Sequence, residues 1–375
     1  MGRLAYILAG EPSGDKIAAS LMRSQKASYE FHGIGGPLMA AEGLKTHHDY
    51  SQLQIVGLGD AIRHYGALKK LLNHLVDEVS RLRPAVIYTV DAKGFSLRFA
   101  RAVKQRMTQE GWHAQLVHLV APTIWAYGKG RAKAFEGAFD AMLCLFPMEK
   151  GCFDEKALKT AYIGHPAAYH AQRDRQAPHD TPQKCLILPG SRKSEITALL
   201  PIFLAAAKNL QSRLDVHFTI VTIEAQRALI SDKVRQSGVS VSLLSGQEAL
   251  DEGFATHHIM LGASGTVTLE AALAGIAGIV AYRLNPLVAL LMKRRFYQSD
   301  PVLPNIILQE EVYPFAFQRE VNAAHLADLL HEMIRDNDRE GRLARQSLEL
   351  RARLTNGASD FEGAIKAALE EILVH

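Results

Sequence analysis

Two glycine- and serine-containing turns, each directly after an apolar run, constrain the fold of this chain more than any other feature. The first occupies residues 9–15 (AGEPSGD) and follows the apolar residues 4–8. The second occupies residues 262–266 (GASGT) and follows residues 258–261. Each pattern predicts a strand, a tight turn and a helix start, where free backbone N–H groups and the helix dipole favour an anion. Neither turn has the glycine spacing of an ordinary dinucleotide site or a P-loop.

In both halves of the chain, apolar stretches of strand length alternate with stretches of helical spacing. Such alternation predicts βαβ units and a parallel sheet. We expect an α/β fold with two Rossmann-like parallel-sheet domains that face a central cleft. The expected domains are residues 1–165 and residues 184–337, joined by a polar linker at 166–183. Residues 338–375 are expected to form C-terminal helices that pack back on the N-terminal domain. The predicted strands are 3–9, 31–34, 85–90, 115–120, 141–146, 161–164, 185–188, 216–221, 239–244, 259–261 and 278–282.

Composition narrows the class of protein. With 375 residues, 48% hydrophobic and 22% charged, the chain has the composition of an ordinary globular protein. A formal net charge of +4 suits an anionic small molecule or an acidic membrane surface and is too small to indicate a nucleic-acid partner. Three cysteines cannot build a disulfide framework, and no zinc-type spacing is present, so no metal site is expected. Because no signal peptide or spanning run of about 18 apolar residues is visible, we expect a cytoplasmic protein.

Acidic residues at strand ends in the first half are candidates for acid–base chemistry. Ligands of open parallel sheets bind beyond the carboxyl ends of the strands. Asp91 ends an apolar strand there and can act as a general base, although it can also cap the next helix or pair with Arg98. Glu11 lies in the first turn and can do the same task, or hold that turn by accepting backbone N–H groups.

The second half offers groups that suit a nucleotide diphosphate. Arg192 follows a strand and can clamp a phosphate through two hydrogen bonds; the alternative is a surface arginine paired with Glu195. The turn that contains Ser264 begins a helix whose N–H groups fit a phosphate. Glu270, one turn further, can accept both hydroxyls of a ribose, although it can equally be a solvated helix residue.

Two further segments have open interpretations. The loop at 121–131 places two aromatic and two basic residues after a strand, which suits a sugar- or lipid-facing loop or ordinary packing of Trp125. The segment 285–297 is apolar, then basic, then aromatic, and its Lys293, Arg294 and Arg295 suit docking on an anionic membrane. A core helix with a solvated basic end has the same pattern.

Taken together, these motifs resemble the lipid-A-disaccharide synthase family, inverting glycosyltransferases of the two-Rossmann (GT-B) type. The matching segments occur in the family's order: AGEPSGD (9–15), GIGGPLM (33–39), APTIWA (121–126), LPGSRKSEI (188–196), ASGT (263–266) and LPNII (303–307). Each segment alone is weak, whereas the ordered set is specific.

The resemblance implies a reaction and roles for individual residues. The family joins UDP-2,3-diacylglucosamine to 2,3-diacylglucosamine 1-phosphate (lipid X) and releases UDP, without a metal or organic cofactor. It implies a protein of Gram-negative bacteria that acts at the cytoplasmic surface of the inner membrane, with no nucleic-acid partner. Asp91 matches the proposed base, which would activate the acceptor's 6-hydroxyl, and Arg192 matches an arginine that balances charge on the departing UDP. The residues implied at the nucleotide are Ser191, Arg192, Ser264, Gly265, Thr266, Glu270 and Asn305. Glu11 is expected to be catalytic together with Asp91 and Arg192. The residues expected at the substrate or acceptor cleft are Ser13, Gly14, Gly36, Pro122 and Trp125.

The chain departs from the family pattern near the proposed base. Residues 91–96 read DAKGFS where the family usually reads DAPDFN, and Ala277 replaces an expected proline. These changes keep a catalytically impaired or non-catalytic relative open as an alternative. Another two-Rossmann UDP-sugar enzyme, either a non-lipid glycosyltransferase or a UDP-N-acetylglucosamine epimerase, is the other alternative, because all of these share the nucleotide-binding helix start.

Overall fold

The chain folds into two compact units in a computed structural model, which describes residues 2–48, 50, 53, 65–125, 129–169, 183–284 and 301–373. One unit comprises Met1–Tyr169 together with Arg353–His375, and the other comprises His170–Ala352. The second boundary lies inside a helix, Arg339–Thr355, so the expected C-terminal segment is divided between the units.

Each unit contains one six-stranded sheet in which every neighbouring pair of strands is parallel. In chain order the strands are β1 Arg3–Ala9, β2 Tyr29–Ile34, β3 Val86–Val90, β4 Gln115–Leu119, β5 Ala141–Cys144, β6 Lys159–Tyr162, β7 Gln183–Leu188, β8 Val216–Thr222, β9 Val241–Ser245, β10 Ile259–Ala263, β11 Ala277–Tyr282 and β12 Phe315–Phe317. The first sheet has the order β2-β1-β3-β4-β5-β6 and the second β12-β11-β10-β7-β8-β9. Because all strands of a sheet are parallel, their carboxyl ends share one edge.

Helices connect most of the strands. The described α-helices are α1 Pro12–Gln25, α2 Pro37–Ala41, α3 Tyr65–Leu82, α4 Lys93–Glu110, α5 Ala132–Glu136, α6 Pro147–Lys150, α7 Lys193–Gln211, α8 Arg227–Ser237, α9 Gln247–Thr256, α10 Thr266–Leu273, α11 Leu303–Leu308, α12 Ala323–Arg335, α13 Arg339–Thr355 and α14 Phe361–Ile372. Several begin with sequence signals: α1 and α2 have proline in their first turn, and Asp360 Oδ1 accepts the Gly363 N–H at the start of α14.

The predicted linker at 166–183 overlaps described structure at both ends. Residues Pro166–Tyr169 form a 3₁₀ helix, and Tyr169 Oη donates to the carbonyl oxygens of Ile163 and Thr355. Gln183 is already the first residue of β7, and residues 170–182 lie outside the described part of the chain.

The core of each unit lies on both faces of its sheet. All five residues of β3 and all five of β10 are buried, which explains why these strands read as continuous apolar runs. Tyr6, Ile87 and Phe99 belong to the core of the first unit, and Phe203 and Ile220 to that of the second. Among the helices that the structure describes, none has the combination of length and apolar character needed to cross a bilayer.

Candidate functional site

Predicted site residues of the first unit lie along one sheet edge. Gly36, Glu11, Asp91 and Pro122 follow β2, β1, β3 and β4, which are consecutive neighbours in the sheet. Four loops that are distant in sequence are thereby brought side by side at the carboxyl ends of the strands. This edge is where parallel α/β sheets bind ligands.

Asp91 occupies a strained turn at the centre of this edge. Asp91 and Ala92 both have left-handed backbone conformations, with φ of 50° and 44°. Such conformations are unfavourable for residues other than glycine and concentrate at functional sites. The Asp91 N–H donates to Leu119 O (3.1 Å), and Ser96 Oγ donates to Asp91 O (2.8 Å). The backbone is therefore held from two sides while the side chain stays 24% exposed.

The two alternative roles of Asp91 can be compared with the observed contacts. The N-cap of α4 is Ala92, so Asp91 is not the capping residue. The described ion pair of Asp91 is with Lys93, whose Nζ lies 3.8 Å from Asp91 Oδ1, and not with Arg98. Sequence reasoning noted Lys93 as a departure and did not predict this pair.

A second strained turn lies on the neighbouring strand. Val120, directly after β4, has φ of 72°, an outlier for a β-branched residue, and its N–H donates to Leu143 O (3.2 Å). It leads into buried Pro122, whose carbonyl accepts the Ile124 N–H (2.6 Å), and then into half-buried Trp125. Residues 126–128 of the predicted loop lie outside the described part of the chain.

The turn after β1 packs closely on the end of β3. A Cβ at Gly14 would lie 3.5 Å from Val90 O, and one at Gly10 would lie 3.3 Å from the Cβ of Ala92. The half-buried Glu11 precedes α1, and its carbonyl accepts the Asp15 N–H (2.8 Å), while Ser13 is exposed in the first turn of the helix. The small residues thus bring this turn next to the turn that carries Asp91.

Asp15 is a structural residue of the edge that sequence reasoning missed. Its carboxylate is buried and accepts three backbone N–H groups, from Gly36 (2.9 Å), Leu38 (3.0 Å) and Met39 (3.2 Å). A Cβ at Gly36 would lie 2.5 Å from Asp15 Oδ2, which explains glycine at that position. Asp15 therefore ties the turn after β1 to the start of α2. The sequence offered one clue to this role, since Asp15 is the acidic residue that ends the turn at 9–15.

We expect Asp15→Asn to destabilise the first unit by about 2–4 kcal/mol, because the amide NH₂ would face a backbone donor and leave buried N–H groups unsatisfied. Urea unfolding followed by fluorescence and circular dichroism measures the change. The control is Asp360→Asn. The Asp360 carboxylate accepts one exposed N–H group, that of Gly363 at the start of α14, so this substitution should lower the free energy of unfolding by less. Equal shifts of the unfolding midpoint in both variants would contradict this role of Asp15.

Two buried ionisable groups flank the site without facing solvent. Burial raises the pKa of Glu149 to about 7, against the lowering effect of the N–H groups of Phe146 and Leu145 and the charge of Lys93. Burial also lowers the pKa of His118 to about 3, so its ring is neutral at physiological pH. The ring stacks on Phe139, with centroids 4.9 Å apart, and has a structural role in the core.

In the second unit, two predicted phosphate-binding turns are neighbours. Strands β7 and β10 pair through Leu188 and Gly262, so the loops that follow them leave the sheet side by side. Ser191, Gly265 and Thr266 are exposed there, and Ser264 is half-buried. Helix α10 begins at Thr266 without a side-chain cap, which leaves this start able to accept an anion.

Arg192 is held at this edge by Glu195. Arg192 Nη1 lies 2.8 Å from Glu195 Oε1, and the two side chains are 74% and 14% exposed. Gly190 has φ of 97°, and a Cβ there would lie 2.7 Å from Glu195 Oε2. The turn therefore folds over the Glu195 carboxylate, which orients an otherwise exposed guanidinium. The ion pair foreseen as the alternative for Arg192 is present, and it is compatible with anion binding because Arg192 remains largely exposed.

Two other predicted nucleotide residues have different surroundings. Glu270 is half-buried one turn into α10. Asn305 is buried, and its amide holds the following loop: Nδ2 donates to Tyr313 O (2.8 Å), and Oδ1 accepts the N–H groups of Val312 (2.9 Å) and Tyr313 (3.0 Å). Direct nucleotide contact by Asn305 stays a prediction, since the structure shows its amide used within its own loop.

Three further predicted residues, Lys293, Arg294 and Arg295, lie outside the described part of the chain. Within the described ranges, no three His, Cys, Asp or Glu side chains are grouped so that they could hold a metal ion.

Solved structures of other proteins share the fold of this chain. A putative UDP-N-acetylglucosamine 2-epimerase from Listeria monocytogenes superposes with a TM-score of 0.64 at 13% identity, covering 100% of this chain and 97% of that one. The glycosyltransferase of kitacinnamycin superposes with a TM-score of 0.64 at 14% identity, covering 99% of each chain. At such identities the likeness establishes the fold alone. With its two parallel sheets, the chain has the GT-B fold that glycosyltransferases and epimerases share.

Sequence comparison narrows this class to one family. The profile of the lipid-A-disaccharide synthetase family matches residues 5–368. A lipid-A-disaccharide synthase from Rhodospirillum centenum is 33% identical over 338 residues, which cover 86% of this chain and 83% of that protein. The chain therefore belongs to the lipid-A-disaccharide synthase family and is a glycosyltransferase of GT-B type.

Proposed function

We propose that this protein transfers the sugar of UDP-2,3-diacylglucosamine to 2,3-diacylglucosamine 1-phosphate (lipid X), which produces lipid A disaccharide 1-phosphate and UDP. The observation that carries the proposal is Asp91: a partly exposed carboxylate on a strained turn, at the ligand-binding edge of a sheet. The family match over residues 5–368 supports the choice of substrates.

In the proposed mechanism, Asp91 acts as the general base. Its carboxylate takes the proton of the acceptor's 6-hydroxyl while that oxygen forms a bond to the anomeric carbon of the donor. The bond from the anomeric carbon to the UDP oxygen breaks, and UDP leaves with the electron pair. Attack on the face opposite to UDP inverts the anomeric configuration. Glu11 is proposed as a second catalytic carboxylate beside Asp91. The loops with Ser13, Gly36 and Trp125 are proposed to line the acceptor.

The second unit is proposed to bind the nucleotide and to stabilise it as it leaves. The N–H groups at the start of α10 and the guanidinium of Arg192 meet the negative charge of the diphosphate. Glu270 accepts hydrogen bonds from the ribose hydroxyls. Glu195 is proposed to position Arg192, because its carboxylate accepts a hydrogen bond from that guanidinium.

We also propose that the protein docks on the cytoplasmic surface of the inner membrane through Lys293, Arg294 and Arg295. Both substrates carry acyl chains, and a basic segment beside apolar residues favours an anionic surface. Replacing the three cations with glutamine is expected to weaken binding to vesicles that contain anionic lipid by about tenfold at low salt, and less at high salt. Vesicle sedimentation measures this. Equal vesicle binding by the variant and the parent protein would contradict membrane docking through these three residues.

The reaction itself is tested with purified protein, both substrates and detergent. We expect UDP release that requires both lipids, and a product with the mass of the disaccharide 1-phosphate. Release of UDP without acceptor, or conversion of UDP-N-acetylglucosamine to an epimer, would favour the other two-Rossmann enzymes. No product while UDP still binds would indicate a family member that has lost this chemistry.

A further inference from the structure

Lys93 places an ammonium group beside Asp91, and no step of the proposed mechanism uses it. Lys93 Nζ lies 3.8 Å from Asp91 Oδ1, longer than a charge-assisted hydrogen bond of about 2.7–2.9 Å. The two side chains are 36% and 24% exposed, so both remain accessible to a ligand. The ammonium is therefore only loosely engaged by the carboxylate.

The surroundings of Lys93 leave room for a further anion. Within the described part of the chain, Asp91 is the one carboxylate within ion-pair distance of Lys93, while the buried Glu149 interacts with the same charge from further away. Gly94, the next residue, is exposed, and a Cβ there would meet no atom within 4 Å. The backbone next to Lys93 is therefore open to solvent, and the ammonium itself is partly exposed.

We propose that Lys93 binds the phosphate of the acceptor and makes this enzyme selective for a phosphorylated acceptor. This inference rests on the proposed function. In a hexose 1-phosphate, C1 and C5 are both bonded to the ring oxygen, so the phosphate on C1 and the 6-hydroxyl beyond C5 lie at the same edge of the ring. An acceptor whose 6-hydroxyl donates to Asp91 can therefore place its phosphate within reach of the neighbouring Lys93.

The ion pair between Lys93 and Asp91 means that phosphate binding by Lys93 also affects turnover. A phosphate carries more charge than a carboxylate and competes well for the ammonium. When Lys93 moves to the phosphate, Asp91 Oδ1 loses its ammonium partner and becomes available to the 6-hydroxyl. An acceptor without phosphate leaves Lys93 on Asp91, where the ammonium competes with the hydroxyl for the base. Selectivity is then expressed in kcat as well as in KM.

The test compares lipid X with the same diacylglucosamine lacking its phosphate, using kcat/KM for each acceptor. We expect the parent protein to prefer lipid X, Lys93→Met to reduce that preference by about tenfold or more, and Lys93→Arg to retain most of it. The matched control is Lys104→Met. Lys104 lies on the same helix, its Nζ is also 3.8 Å from a carboxylate oxygen, of Asp140, and it should leave the preference unchanged.

The outcomes separate this inference from the proposed function. A parent protein that forms no disaccharide with either acceptor contradicts the proposed function. A parent protein that forms it while Lys93→Met keeps the full preference for lipid X overturns the role of Lys93 alone. Circular dichroism and urea unfolding of every variant distinguish loss of selectivity from unfolding of the first unit, which contains Lys93.

Discussion

Asp91→Asn is expected to lower turnover by about 10²-fold or more while UDP binding stays unchanged. Asparagine has nearly the same shape as aspartate and can occupy the same turn, where asparagine is among the residues that best tolerate a left-handed backbone. It cannot accept the proton of the 6-hydroxyl. The change therefore removes the chemical step and leaves the turn in place. Steady-state rates of disaccharide formation and calorimetric UDP titration measure the two effects.

The control for this experiment is Asp77→Asn. Asp77 is a 56% exposed carboxylate on α3, paired with Arg106 at 2.8 Å, and surface pairs of this kind contribute about 0–1 kcal/mol. Its substitution should leave both turnover and UDP binding unchanged. Near-normal turnover of Asp91→Asn would remove Asp91 from the mechanism and direct attention to Glu11, the second carboxylate of the same edge.

The strands were predictable from the sequence because a parallel sheet covered on both faces needs continuous apolar runs. Thus β3 was expected at 85–90 and is observed at Val86–Val90, with every residue buried. The strand β12, Phe315–Phe317, was missed because three residues are too short to show a period. The backbone pairing with β11 makes this segment a strand, although its own sequence shows no strand pattern.

The edge that carries the candidate site was also predictable, since the ends of parallel strands must meet there. The contacts within that edge were not. Asp15 reaches Gly36 across 21 positions, and Asn305 reaches Tyr313 across 8 positions. Such pairs depend on how the chain returns in space, and local patterns carry no information about them. The bond between Arg192 and Glu195, three positions apart on one helix start, was foreseen because it is local.

Arg192→Ala is expected to lower kcat by about 10²-fold and to weaken UDP binding by about tenfold. Charge develops on the diphosphate as the bond to the sugar breaks, so a guanidinium contributes more in the transition state than in the bound substrate. Arg192→Lys should recover part of the loss, because an ammonium keeps the charge without the paired hydrogen-bond geometry. Rates at saturating substrate and UDP titration separate the two contributions.

The matched control is Arg235→Ala. Arg235 is 76% exposed and pairs with Asp232 three positions away, as Arg192 is 74% exposed and pairs with Glu195. The two arginines match in exposure and in the spacing of their acidic partners, and of the two Arg192 is the one that follows a strand at the carboxyl edge of the sheet. If the position of Arg192 at the sheet edge matters, Arg235→Ala leaves kcat and UDP binding unchanged, whereas Arg192→Ala lowers both. Unchanged kinetics in both variants would show that the helix start at Thr266 holds the diphosphate without Arg192. Arg192 would then only form an exposed ion pair with Glu195.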